Sequence, residues 1–294
     1  MTSASWETGV GLGRVNVDGA PTVVLYRPGA PQAKVATVDG NTFADLPALL
    51  EAADGDQHRI VGGPSVSLTE SDLLCPVARP RKIVCMGQNY AEHVREGGRE
   101  ALPAYPDLFP KWDNALNGPY SDIDLPMESD QIDYESELAV VIGRRCRRVA
   151  EADVHNVVFG YTAANDGSVR DYQFRTSQRT AGKVWDGLTP LGPVVVPADQ
   201  LGGVTPDLRL TGRLNGELMQ DDRTSRMVFG IATTISYITT MMTLEPGDVV
   251  LTGTPAGVGL VRQPPRLLCD GDEFEVSIEG IGSIRNRFVA EKPN

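Results

Sequence analysis

Residues 133–143 read DYESELAVVIG, and this stretch decides the fold. Glu135 and Glu137 stand one residue apart, and Leu138 to Ile142 then form an unbroken apolar run rich in β-branched side chains. Alternate side chains of a strand face the same way, so the two glutamates project together, about 7 Å apart at their Cα atoms. An apolar run without alternation is the pattern of a strand covered on both faces. The segment therefore reads as a strand that enters a core with its acidic end first. An acidic strand edge left in water has the same spacing. A carboxylate buried without a partner is costly, however, and a cation removes that cost. Asp166, in GYTAANDGSVRDYQ (160–173), offers a third carboxylate. Three hard oxygen donors with no cysteine or histidine beside them suit Mg²⁺ or Mn²⁺ better than zinc.

Composition sets the frame around this strand. A chain of 294 residues with 41% hydrophobic content can bury a substantial core, and 31 Gly with 21 Pro point to many turns and a β-rich α+β architecture. A net charge of −12 opposes nucleic-acid binding, and no Lys/Arg run is long enough to act as a basic tract. Four cysteines without Cys-x-x-Cys spacing support neither a zinc ribbon nor a dithiol motif. The N-terminal residues lack a signal-peptide pattern, and no apolar stretch is long enough to span a bilayer, so the expectation is a cytoplasmic protein with no membrane partner.

Residues 1–78 read as a small β-rich domain, with VGLGRVNVDGAPTVVLY (10–26) and AKVATVDGNTFADL (33–46) as alternating strands and LPALLEAADGD (46–56) as its helix. Residues 79–294 form the main domain. There NYAEHVRE (89–96) reads as a short helix, LRLTGRLNGEL (208–218) as a hairpin turning at Asn-Gly, and RMVFGIATTISYITTMM (226–242) as a long helix, apolar nearly all round and hence largely buried. The proline- and glycine-bearing stretch 103–126 reads as a long irregular loop.

His93 and Glu96 are three residues apart, so on a helix they share a face and form a possible base with its orienting carboxylate; an exposed helical ion pair has the same spacing. Lys183, ahead of Trp185, is placed to neutralise a developing enolate, unless it is a surface lysine. LTGTPAGVG (251–259) offers Thr254 and backbone amides to an anionic ligand but lacks a phosphate-loop ending.

Taken in order, GQNYAEHVRE (87–96), DYESELAVVIG, GYTAANDGSVRDYQ, GKVWDGLTPLGP (182–193), MTLEPGDVVLTGTPAGVG (242–259) and IEGIGSIRNRF (278–288) resemble successive motifs of the fumarylacetoacetate hydrolase family over about residues 82–288. The resemblance implies a mixed β-sheet roll or barrel flanked by helices, usually a homodimer, with Mg²⁺ or Mn²⁺ on Glu135, Glu137 and Asp166. It implies an enzyme acting on a small 2-oxo acid or diketone. C–C bond hydrolysis comes first, in which a metal-bound enolate departs, His93 oriented by Glu96 activates water, and Lys183 helps stabilise the enolate. A decarboxylase or isomerase on the same fold comes second, and a non-catalytic ligand-binding relative last. Gln88, Tyr90, Arg170, Asp171, Gln173 and Thr254 match pocket positions. Gly167 and Val169 stand where many members carry Val and Ala, which implies a looser backbone beside Asp166. The 103–123 stretch also departs from the family's form and is expected to contact substrate.

Overall fold

The computed structural model describes residues 6–292. Its backbone is a 13-stranded sheet and a five-stranded sheet, both open, in a strand-rich α+β fold with few helices. The Ser136–Ile142 strand is central in the larger sheet, flanked antiparallel by Val158–Asn165 and by Val249–Leu251. Its unbroken apolar run has the anticipated cause. Leu138, Val140 and Ile142 pack into one core with Phe274, Val276 and Ile284 of the smaller sheet, whereas Ala139 and Val141 pack into another with Leu46, Leu49 and Leu50. Both faces are covered, so no polar position is left along the run.

The helix beneath, Leu46–Ala53, starts where Asp45 accepts a hydrogen bond from the Leu46 amide (2.8 Å), with proline in its first turn. The N-terminal strands Gly11–Val17, Ala20–Tyr26 and Gln32–Val38 extend the large sheet through Leu12, which pairs with Val195. The Asn-Gly hairpin forms as expected between Arg209–Leu214 and Glu217–Arg223, with Asn215 (φ 50°) and Gly216 (φ 83°) both left-handed.

Two expectations change. The long helix is only Ile231–Met241, and it buries a stripe of Ile231, Thr234, Ile235, Ile238 and Thr239. Thr234 and Thr239 lie on the buried side, Thr233, Ser236 and Tyr237 are half-buried, and Thr240 and Met241 are exposed, so it is amphipathic, not apolar all round. The supposed loop at 103–126 contains a strand, Asp107–Lys111, paired antiparallel with Ile83–Gly87 at the end of the large sheet. Pro110 is tolerated in this end strand. Among the described residues, no helix is long and apolar enough to cross a membrane.

Candidate metal centre and active site

Strand register builds the acidic site. Ser136 pairs with Asn165 and Glu137 with Ala164, and the Asp166 amide donates to the Glu135 carbonyl (2.9 Å), which continues the ladder by one residue. Glu135 and Asp166 thus stand opposite each other and Glu137 lies one diagonal along the same face, where side chains meet. Carboxylate oxygens of all three come within 4.8 Å of one another, and all three residues are buried.

Three buried cations stand around them. Lys183 Nζ donates to Glu135 Oε2 (2.8 Å) and Asp166 Oδ2 (2.9 Å). Arg170 reaches Glu135 Oε1 (2.7 Å) and Asp133 Oδ2 (2.7 Å). Lys111 Nζ lies 2.7 Å from Asp166 Oδ1 but directs its hydrogens to Thr189 Oγ1 and to the carbonyls of Lys183 and Gly167. With Asp133 counted, four buried carboxylates face three buried cations.

The shortfall falls on Glu137. Its Oε2 accepts from the Gly253 amide (2.8 Å), while Oε1 is buried with no hydrogen-bond partner, as is Asp166 Oδ1. Burial, then Asp166 and Glu135, push the Glu137 carboxyl well above the usual carboxylate range. Glu135 goes the other way: burial alone would raise it, but Lys183 and Arg170 hold it far below that range. Burial would likewise strip Lys183 of its proton, yet Asp166 and Glu135 keep it more basic than an ordinary lysine. Convergent hard oxygens, two without hydrogen-bond donors, and one uncompensated charge fit a divalent cation on Glu135, Glu137 and Asp166.

The presumed base stands on the Ala91–Glu96 helix. His93 Nδ1 is 2.7 Å from Glu96 Oε1, and Glu96 Oε2 accepts from the Gly257 amide (2.8 Å). The exposed-ion-pair alternative fails, because both side chains are only 19% exposed. Gly257 has to be glycine: at φ 110° a Cβ would sit 2.1 Å from the Met219 carbonyl oxygen. A cavity of about 170 Å³ is lined by His93, Glu135, Arg170 and Lys183 together.

Gln88, Gln173 and Thr254 also line that cavity. Tyr90 and Asp171 are not among its walls. Tyr90 is fully buried with a hydroxyl that has no hydrogen-bond partner, and Asp171 is turned to Ser129 (2.6 Å) and Arg175 (3.0 Å). Lys183 is no surface lysine; it lies between two carboxylates. Gly167 does not loosen the backbone, since a Cβ there would lie 2.1 Å from the Leu188 carbonyl oxygen. Lys111 and Asp133 were missed. Lys111 was hidden in the supposed loop, and Asp133, two residues ahead of Glu135, was passed over although it shares that face.

The arrangement is a buried acidic cluster that could hold a cation, beside an oriented histidine, on a strand-rich scaffold. Residues 82–289 match the description "Fumarylacetoacetate (FAA) hydrolase C-terminal", and the chain belongs to the fumarylacetoacetate hydrolase family, whose members are enzymes. It is 43% identical over 228 residues to "Oxaloacetate tautomerase FAHD2B, mitochondrial" of Bos taurus, covering 77% of this chain and 72% of the relative. It is 42% identical over 217 residues to the fumarylacetoacetate hydrolase domain-containing protein 2 homolog of Dictyostelium discoideum (70% and 71% covered). Among solved structures, the fumarylacetoacetate hydrolase of Exiguobacterium antarcticum aligns with TM-score 0.82 at 33% identity, over 96% of this chain and all of that one. The 5-carboxymethyl-2-hydroxymuconate delta-isomerase of Mycobacterium smegmatis aligns at 0.77 and 33%, with the same coverage.

Proposed function

We propose that this chain is a divalent-metal-dependent enzyme that interconverts the enol and keto forms of a small 2-oxo acid of the oxaloacetate type. The observation that carries this reading is the opening of His93 onto the same cavity as Glu135 and Lys183. Relatives named as oxaloacetate tautomerases and a structural neighbour named as an isomerase support it. A divalent ion on Glu135, Glu137 and Asp166 would act as a Lewis acid toward the negative oxygen of an enolate. His93 Nδ1 is engaged by Glu96, so Nε2 is the ring nitrogen left to move a proton at the substrate carbon. Glu96, held by the Gly257 amide, fixes the tautomer. Lys183 and Arg170 remain protonated and act through charge, Lys183 fixing two of the ion's ligands and Arg170 one.

The test follows the decay of enol oxaloacetate absorbance with Mg²⁺ present. His93→Asn should lower kcat by about 10²–10⁴-fold, the usual worth of a positioned general base, while Mg²⁺ still binds. A variant within threefold of the parent would remove His93 from the role.

C–C hydrolysis of an acylpyruvate is the second reading, since a histidine oriented by a carboxylate also activates water, and the Exiguobacterium neighbour is named a hydrolase. Release of pyruvate from acetylpyruvate separates the two. Decarboxylation needs no activated water, so it should survive loss of His93. The cytoplasmic setting and homodimeric assembly expected from the sequence belong to this same proposal.

A further inference from the structure

The cavity has a second end that the proton transfer does not use. The Ile83–Gly87 strand runs out at Gly87–Gln88, and two arginines flank this point, both among the residues lining the cavity. Arg179 lies against Gly87: a Cβ built there would sit 2.9 Å from its Nη1, so the guanidinium packs into the space that this glycine leaves open. Its Nη2 pairs with Asp107 Oδ2 at 3.0 Å. Arg99 donates from Nη1 to Gln88 Oε1 (2.9 Å). Gln88 itself sits at φ 57°, a left-handed conformation that is uncommon for a residue with a side chain and that clusters at binding sites. Each guanidinium has five N–H donors, and the contacts just named leave most of them free. In a chain of net charge −12, two arginines turned into one cavity are positioned against the general field.

We propose that Arg99 and Arg179 form an anion subsite that selects 2-oxo acids carrying a distal carboxylate. The subsite rests on the proposed function for its other half, since the 2-oxo acid end is taken to face Glu135, Glu137 and Asp166. Planar bidentate donors match a carboxylate, and the apolar side chains of Val258 and Leu260 line the same cavity. Asp107 holds Arg179 from outside and acts as a positioning residue.

The experiment compares kcat/KM for solvent-proton exchange at C3 of oxaloacetate and of 2-oxobutanoate, which has the same four carbons and a methyl group in place of the distal carboxylate. Oxalate, which has no distal group, titrates the metal-facing end of the Mg²⁺-loaded parent protein separately. The oxaloacetate to 2-oxobutanoate ratio should fall about tenfold or more in Arg179→Gln and in Arg99→Gln, the size expected for one charge-assisted contact, and Arg179→Lys should recover part of it. A ratio that stays put while both substrates fall together would mean that Arg179 only braces the Asp107–Lys111 strand, and Asp107→Asn would then reproduce the loss. Oxalate binding without any preference for oxaloacetate overturns the subsite and leaves the proposed function standing. Failure to bind oxalate or to exchange either substrate overturns both.

Discussion

Asp133 and Glu137 stand four residues apart, both buried, and their surroundings differ in one respect. Asp133 accepts from the amides of Tyr134 (2.9 Å), Gly259 (2.8 Å) and Leu260 (3.1 Å) and is clasped by Arg170. Glu137 receives one amide and keeps an oxygen without a donor. A saturated buried acid is part of the scaffold, tying the 257–261 loop to the strand. An unsaturated one is held open for something else. The difference separates structure from function where burial alone cannot.

The largest effect tests the saturated side. Asp133→Ala strips Arg170 of one partner and orphans three amides, so chemical denaturation should show a loss of about 3–5 kcal/mol, as when one member of a buried pair is removed. A loss below 1 kcal/mol would erase the contrast.

The next has the opposite sign. Glu137→Gln should stabilise the metal-free protein at neutral pH by about 1–3 kcal/mol, by removing an under-partnered buried acid. Because the Glu137 carboxyl is raised in the folded state, its protonated form contributes stability fully below the unfolded value of an ordinary glutamate, and that contribution is lost as pH rises through the folded value. The variant's advantage should therefore vanish near pH 4 and grow toward pH 8. In the same variant, Mg²⁺ should no longer raise Tm. Thermal melts in chelator and in Mg²⁺ at both pH values decide the matter, and a variant less stable than its parent at pH 8 in chelator would reverse the reading.

The smallest effect isolates burial. Arg209 and Asp221 form a two-pronged pair (2.8 and 2.7 Å) with both side chains exposed, so Asp221→Asn should cost under about 1 kcal/mol.

Local periodicity made much of this site legible. A spacing of two placed Glu135 and Glu137 on one face, and a spacing of three placed His93 against Glu96. What sequence could not show were contacts made across long chain separations. Lys111 reaches Asp166 only because Asp107–Lys111 pairs with Ile83–Gly87, and the prolines and glycines around it spelled a loop. Lys183 was read as a charge for the substrate, but it already serves two carboxylates. Asp171 lies one residue past Arg170, which faces the site, and it turns outward to Arg175. The glycine beside Asp166 read as freedom because its neighbour, the Leu188 carbonyl, is distant in sequence.

The imbalance of four buried carboxylates over three cations also couples the binding of cation and substrate. With a proton on Glu137 the bare centre is neutral, so the arginine end of the cavity is left as the part that attracts an anion. A dication that displaces this proton leaves a surplus positive charge in the same volume. Cation and substrate must then, by reciprocity, each tighten the hold of the other.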